Sequence, residues 1–155
     1  MRQSTYREVP EALHVAVTVA CPAPRARDLL VTQEGLERWM AAKAEFKPEV
    51  GTSYRIELNE TSRGSVEGQV TGYDPASGIA YTMTDDAVKK AFGNTVVRWS
   101  WEPLSADYTL VTLTQTGHGQ GDAWQRAFDH HLKRWTFLLA NLTSVVNEGH
   151  DQRPR

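Results

Sequence analysis

The sequence predicts an α+β domain in which a curved antiparallel β-sheet wraps around one long C-terminal α-helix. Three observations support this fold class: a short alternating segment near the start of the chain, a series of alternating segments in its middle, and a helical apolar stripe at its end. The 155 residues fit one domain of ordinary size, which needs no disulfide or metal to fold.

The first predicted elements are a strand and two short helices. The segment from Leu13 to Val19 alternates apolar side chains with small or polar ones, which is the pattern of a half-buried strand. Because Pro24 suits the first turn of a helix, a short helix is predicted at about Ala23–Val31. Thr32 is a suitable N-cap for a second short helix, which carries Trp39.

The middle of the chain predicts an antiparallel meander of five strands. The five segments alternate in polarity, and most of them are separated by short turns. They are Tyr54–Leu58, Ser65–Tyr73, Ile79–Met83, Thr95–Glu102 and Tyr108–Gly117. Gly68 and Gly72 within the second segment predict a bulge or a sharp bend. The connection from Asp85 to Asn94 is longer than the other turns.

A stripe of large side chains predicts a long helix from about Gly121 to Glu148. The stripe residues follow one another at spacings of four and three, so they share one helix face. They are Trp124, Phe128, His131, Trp135, Leu138, Leu142 and Val145. A helix of this length spans roughly 39 Å. Because a strongly curved sheet cannot close tightly on a straight helix, we expect a cavity between the two.

The expected domain organisation is simple. Residues 1–11 are expected to be an N-terminal extension, residues 12–148 a single domain, and residues 149–155 a flexible tail. No stretch approaches the roughly 18 consecutive apolar residues of a membrane helix. We therefore expect no membrane span and a cytoplasmic location, with which a single cysteine agrees.

Composition and motifs exclude several classes of function. The formal net charge of −2 argues against a protein that binds nucleic acid by neutralising phosphates. A single cysteine cannot form an internal disulfide or a cysteine-based zinc site. The sequence contains no phosphate-binding loop, nucleophile elbow or metal-ligand signature, so neither a cofactor nor a metal is expected.

Four segments, in their order along the chain, resemble those of one protein family. They are Glu34–Trp39, Val50–Arg55, Trp99–Pro103 and Trp135–Leu142. Over about residues 12–148 the chain is similar to the activator-of-heat-shock-protein-90-ATPase homologue-like family. That family belongs to the START-like (SRPBCC, helix-grip) superfamily. The sequence departs from the family pattern at Thr52 and Arg134, each of which stands where glycine is common.

The resemblance implies a helix-grip fold with a hydrophobic pocket for small apolar or aromatic molecules. Members of the superfamily include lipid carriers, polyketide cyclases and co-chaperone domains, so the fold alone does not select a function. Family members often carry histidine where Gln115 stands, which argues against proton transfer at that position. Gln115 keeps the ability to hydrogen-bond a ligand.

The candidate ligand-binding residues are those expected to face the space between the sheet and the long helix, with Trp39 in the helical segment nearby. They form either an ordinary core or the wall of a partly open, aromatic-lined pocket, and the sequence leaves both interpretations open. These candidates are Trp39, Tyr54, Ile56, Tyr81, Met83, Trp99, Trp101, Gln115, Phe128, His131 and Trp135. The sequence assigns no catalytic residue and no metal ligand.

His131 is the polar residue in the middle of the helical stripe. It either hydrogen-bonds a neighbouring residue at the edge of the stripe or faces the cavity as an acid or base. The sequence assigns it no carboxylate partner, and Asp85 and Asp86 are expected to be solvated in their loop. The same loop, with Phe92 and Gly93, is expected to form a movable rim over the cavity mouth.

The function predicted from these observations is the non-enzymatic binding of a small hydrophobic or aromatic molecule. One alternative is a cyclase- or hydrolase-like enzyme that uses His131, Tyr81 and Gln115 in the same cavity. Another is a chaperone-associated stress protein of the family's kind. The macromolecular partners to consider are accordingly a chaperone and a second copy of the chain, and no nucleic acid.

Overall fold

The structure is a computed structural model that describes residues 7–58 and 64–154. The strands are β1 (Ala12–Val19), β2 (Ala41–Glu45), β3 (Ser53–Leu58), β4 (Ser65–Asp74), β5 (Gly78–Met83), β6 (Thr95–Pro103) and β7 (Thr109–Thr116). The helices are α1 (Ala23–Val31), α2 (Gln33–Trp39), α3 (Asp86–Lys90) and α4 (Asp122–Glu148).

The strands form one seven-stranded antiparallel sheet in the order β1-β7-β6-β5-β4-β3-β2. From β2 to β7 the order follows the chain, which is the predicted meander, and β1 pairs with β7 at the far edge. The helices α1 and α2 connect β1 to the opposite edge of the sheet. The long helix α4 packs against the sheet and α2, so the predicted fold class is confirmed.

Two elements were not predicted from the sequence. Ala41–Glu45 forms β2 although its composition of alanine, lysine and glutamate does not favour a strand, because pairing with β3 decides its conformation. Asp86–Lys90 forms the helix α3 within the segment that was expected to be an irregular loop. The Asp85 side chain caps this helix by accepting a hydrogen bond from the Val88 amide over 3.0 Å.

The predicted irregularity in β4 occurs at its glycines. The pairing of β4 with β5 changes register between Val70 and Gly72, which is the signature of a bulge. At Gly68 the backbone lies so close to β5 that a Cβ atom would be 2.0 Å from the Thr82 carbonyl oxygen. Glycine is therefore required at position 68 for the two strands to approach each other.

Thr32 and Gly149, the two helix caps predicted from the sequence for α2 and α4, are both present in the structure. The Thr32 hydroxyl accepts a hydrogen bond from the Gly35 amide at the start of α2. Gly149 ends α4 in the left-handed conformation, with φ of 69°. No helix within the described residues is long and apolar enough to cross a membrane.

The C-terminal segment, for which the sequence predicts a flexible tail, is hydrogen-bonded to the domain through residue 153. The Gln152 amide donates to Asn141 Oδ1 over 2.6 Å. The Arg153 guanidinium donates to the carbonyl oxygens of Ala41 and Glu37, each over 2.9 Å. These bonds join the segment after α4 to the end of α2 and the start of β2.

Candidate functional site

The structure buries every side chain that the sequence proposes for the cavity wall. None of these eleven residues is more than 8% exposed to solvent. They are Trp39, Tyr54, Ile56, Tyr81, Met83, Trp99, Trp101, Gln115, Phe128, His131 and Trp135. Their role as a ligand-binding wall stays a prediction, because burial also describes an ordinary core.

Aromatic rings pack directly against one another between the sheet and α4. Trp99 lies edge-on to both Trp39 and Trp135, with ring centroids 5.9 and 5.7 Å apart. Tyr54 and Tyr81 are also in contact, with centroids 4.8 Å apart. Edge-to-face contacts of this kind add to the free energy gained by burying the rings.

The polar atoms of the buried rings find their partners inside the protein. Trp99 Nε1 donates to Tyr81 Oη, and Trp39 Nε1 donates to the Leu29 carbonyl oxygen, both over 2.7 Å. Burial raises the pKa of the Tyr81 hydroxyl, so that group stays protonated at neutral pH. These ring atoms therefore offer a ligand no unpaired hydrogen-bonding group.

A buried polar cluster lies beside the aromatic core and is centred on Asp85. Asp85 Oδ2 is 2.8 Å from His131 Nε2 and 2.7 Å from Arg134 Nη1. Asp85 is 4% exposed, so the expectation of a solvated carboxylate was wrong. The physical reason is the helix α3, which Asp85 caps and which packs against α4.

Hydrogen bonds around His131 assign its tautomer. Gln115 Oε1 accepts from Trp135 Nε1 over 2.9 Å, which leaves Gln115 Nε2 as a donor, 3.3 Å from His131 Nδ1. His118 Nε2 lies 2.8 Å from the same nitrogen. We therefore assign the His131 proton to Nε2, which donates to Asp85, while Nδ1 accepts. His131 bonds its neighbours, which is the first of the two alternatives drawn from the sequence.

The charges of the cluster depend on this arrangement. Burial alone would raise the pKa of the Asp85 carboxyl. The hydrogen bond from His131 and the positive charge of Arg134 outweigh burial and hold that pKa well below its ordinary value. Burial, followed by the neighbouring His131, lowers the pKa of His118 to about 4. His118 is therefore neutral at pH 7, and its Nδ1 has no hydrogen-bond partner among the described residues.

Arg134 connects the buried cluster to the outer side of α4. Its Nη1 donates to Asp85, and its Nη2 donates to His130 Nε2 over 2.9 Å. Arg134 is 4% exposed, and its Nε has no hydrogen-bond partner within the part of the chain that the structure describes. A buried N–H without an acceptor costs free energy, so this donor reduces the net stabilisation that the cluster provides.

A cavity of about 400 Å³ lies where α3, α4 and the beginning of β4 meet. Asp85 and Arg134 lie at its inner wall, and Ala87, Ala123 and Ala127 give it an apolar surface. None of the eleven predicted residues lines it. A second depression, of about 560 Å³, lies on the opposite face of the sheet around Arg98, and its charged residues are exposed.

Sequence reasoning missed three members of the cluster. Asp85 carries a local signal, since an aspartate directly before Asp-Ala-Val-Lys-Lys is a typical N-cap. Arg134 follows His131 by three residues and therefore lies on the same side of the helix. His118 stands between Gly117 and Gly119 after β7 and has no comparable signal. Its position depends on how the loop returns to α4.

A seven-stranded antiparallel sheet that wraps around one long C-terminal helix defines the chain as a helix-grip protein of the START-like (SRPBCC) class. Within that class it belongs to the family described as activator of Hsp90 ATPase homolog 1-like protein, whose model matches residues 20–147. The resemblance drawn from the sequence is thus confirmed. None of the curated proteins has a matching sequence.

Solved structures share this fold at low sequence identity. Protein MLL2253 from Mesorhizobium loti is 21% identical, with a TM-score of 0.74 over 90% of this chain and 98% of that one. The Aha1 dimer from Colwellia psychrerythraea is 18% identical, with a TM-score of 0.71 over 89% of this chain and 97% of that one. An HSP90 activator from Plasmodium falciparum is 14% identical, with a TM-score of 0.67 over 89% and 97% of the two chains.

Proposed function

We propose that the protein binds a small organic molecule in the cavity between α3 and α4 and catalyses no reaction on it. One observation carries the proposal: a concave space lies between α3 and α4, with an alanine wall and with the buried polar residues Asp85 and Arg134 at its inner end. Ligand sites are concave, largely apolar, and supplied with a few oriented polar groups, and they commonly enclose about 300–1,000 Å³. A cavity of about 400 Å³ with an alanine wall fits that description.

The proposed location differs from the one expected between the sheet and α4. In that interior the rings contact one another, and the ring nitrogens of Trp39, Trp99 and Trp135 already have partners. The expected type of ligand, a small apolar or aromatic molecule, also suits the α3–α4 cavity. The apolar part of such a molecule can contact Ala87, Ala123 and Ala127. The proposal includes a cytoplasmic location, where a reducing environment keeps the buried Cys21 a thiol.

Filling the cavity tests this function. A library of small apolar and aromatic compounds is screened by thermal shift, and a ligand at 100-fold its dissociation constant should stabilise the protein by about 2.7 kcal/mol. Ala123→Leu places a larger side chain in the cavity and should abolish the shift. Ala140→Leu makes the same change at an exposed position of the same helix and should keep it.

Two results would count against a ligand in this cavity. The proposal fails if no compound class changes the melting temperature of the wild-type protein. It also fails if Ala123→Leu and Ala140→Leu respond equally to a compound that stabilises the wild type, because that compound then binds elsewhere.

A chaperone-associated function is the second candidate, and family membership favours it. The family is named after an activator of Hsp90 ATPase, and one structural neighbour is an HSP90 activator. The test is to add the purified chain to an Hsp90 protein and measure ATP hydrolysis. An increased rate supports this candidate, and an unchanged rate together with no binding removes it. The Colwellia psychrerythraea neighbour is a dimer, so size-exclusion chromatography with light scattering should accompany the assay.

A further inference from the structure

The two edges of the sheet differ in how they are protected against pairing with another strand. The edge strand β2 is five residues long, carries Lys43 and Glu45, and changes register against β3 between Ala41 and Lys43. Short length, charged side chains and bulges are features with which proteins prevent edge-to-edge association. The edge strand β1 has none of them: its eight residues include no proline, lysine, arginine or acidic residue, and it pairs with β7 in unbroken register.

The backbone of β1 is paired on one side only. β7 pairs with it over its full length, and no strand within the described residues lies on its other side. Alternate residues of an antiparallel strand direct their N–H and C=O groups to opposite neighbours, so every second residue of β1 offers both groups to a further strand. The partner that satisfies such a row of groups is itself an extended backbone.

The part of α4 that runs beside β1 lacks charge as well. Hydrogen bonds from Arg7 to Asp129 and from Ala20 to Asn147 fasten the helix to the segments just before and just after β1. Between those two helix residues, the positions on the same face carry small uncharged side chains. They are Thr136, Ala140 and Thr143. The free edge of β1 and this face of α4 therefore form one uncharged surface.

The side chains of β1 are complementary to a second copy of the same strand. When two antiparallel copies are related by a two-fold axis through Ala16, Val15 of one copy lies opposite Val17 of the other. Leu13 lies opposite Val19 in the same way. The valines at positions 15 and 17 are only partly buried in the single chain, so this pairing covers apolar surface that α4 leaves open.

Charges near the ends of β1 support the same register. Glu11, directly before β1, then lies opposite Cys21 of the partner subunit. Burial raises the pKa of the Cys21 thiol, and the charge of Arg25 opposes that rise, which places Arg25 near Cys21. Glu11 and Arg25 are both exposed, so each is available to the partner's opposite charge. An axis through Val15 would instead place the Glu11 carboxylate opposite Val19, which has no exposed surface.

We propose that β1 is a dimerisation strand: two copies of the chain associate through antiparallel pairing of their β1 strands about a two-fold axis at Ala16, which joins the two sheets into one. Both α4 helices then lie on the same side of the joined sheet, with their uncharged faces on the side of the partner. This surface is separate from the α3–α4 cavity, so the inference does not depend on the proposed ligand.

A cysteine at the axis tests the register directly. Opposed residues of neighbouring antiparallel strands have Cα atoms about 4.5–5.5 Å apart, within the range of a disulfide. Ala16→Cys should therefore give covalent dimers on mild oxidation. Thr18→Cys is the matched control, since position 18 is also exposed on β1 but its two copies lie roughly 14 Å apart. The native Cys21 is buried, and oxidised wild-type protein provides the baseline.

Charge variants test whether the same strand holds the dimer without a covalent link. Sedimentation velocity over a wide range of protein concentration measures the association. Ala16→Lys places two like charges opposite each other and should weaken association several-fold, and an equal mixture of Ala16→Lys and Ala16→Glu should restore it. Ala42→Lys adds the same charge at an exposed position of the other edge strand and should leave association unchanged. Circular dichroism confirms that each variant is folded.

A charge exchange provides a second test that leaves β1 itself intact. Glu11→Arg and Arg25→Glu should each weaken association, and the double variant should recover it. The proposal is overturned if the wild type sediments as a monomer at every concentration. Covalent dimers of Thr18→Cys that form as readily as those of Ala16→Cys would show the register to be wrong. A dimer that Ala42→Lys weakens and Ala16→Lys does not would place the interface at β2 instead.

Discussion

His131 Nε2 donates a hydrogen bond to Asp85 Oδ2 over 2.8 Å, and both side chains are buried, at 0% and 4% exposure. The bond connects the middle of α4 to the residue that caps α3. Arg134 binds the same oxygen over 2.7 Å. Asp85 is thus the shared partner of two buried groups of α4, and removing its charge leaves the buried Arg134 charge uncompensated.

The first prediction concerns the charge of Asp85. Asp85→Asn keeps the size of the side chain but leaves the buried Arg134 charge uncompensated. Removing one partner of a buried ion pair costs about 3–5 kcal/mol. Urea unfolding at pH 7 measures the loss. Asp86→Asn is the matched control, because its side chain is exposed and the change should stay within about 0.5 kcal/mol. Equal effects of the two substitutions would contradict the assigned pairing.

The second prediction concerns the pH dependence caused by His118. Its folded-state pKa is lowered to about 4, below the unfolded value of about 6.5. Between these values the unfolded chain binds a proton and the folded protein does not. The free energy of unfolding should therefore fall as pH decreases from about 6.5 to 4, by roughly 2–3 kcal/mol.

Two histidine variants test the origin of that slope by urea unfolding at several pH values. His118→Gln keeps an N–H donor near His131 but does not titrate, so the decrease between pH 6.5 and 4 should become smaller. His14→Gln removes an exposed histidine of β1 and should leave the slope as in the wild type. A slope unaffected by His118→Gln would assign the pH dependence to other groups.

The third prediction concerns Gln115, which is 0% exposed and bonded on both sides. Its Oε1 accepts from Trp135 Nε1, and its Nε2 donates to Thr95 Oγ1 over 3.0 Å. Gln115→Leu preserves the approximate size but leaves the buried Trp135 N–H without an acceptor. We expect a loss of about 1–3 kcal/mol. Chemical denaturation measures this loss. A variant as stable as the wild type would show that the Gln115 hydrogen bonds make no net contribution to the free energy of unfolding.

The fourth prediction concerns the close approach of β4 and β5. Gly68→Ala would place a Cβ atom 2.0 Å from the Thr82 carbonyl oxygen, so the strands must separate. Overpacking of this kind costs about 1–3 kcal/mol. At Gly72 the nearest atom to a new Cβ is 3.9 Å away, and Gly72→Ala should be better tolerated. Thermal unfolding of both variants compares them directly, and the reverse order of stability would disprove the steric argument.

Regular patterns explain why most of the fold could be predicted. The alternation in β1 and β3 to β7 and the stripe of α4 each extend over enough residues to define an element. Ala41–Glu45 has no such pattern, and its strand forms because β3 lies beside it. Asp86–Lys90 is a helix of only five residues, too short for periodicity to identify. The caps at Thr32 and Gly149 could be predicted because they depend on local chemistry alone.

The sequence by itself determined the family, the order of most elements, and which side chains are buried between the sheet and α4. Those properties depend on periodicity and on motifs within short stretches of the chain. Only the tertiary structure decided that Asp85, His118, His131 and Arg134 meet, since their contacts join residues as far as 49 positions apart. It also placed the cavity beside α3, because that depends on how α3 packs against α4, and no local pattern encodes that packing.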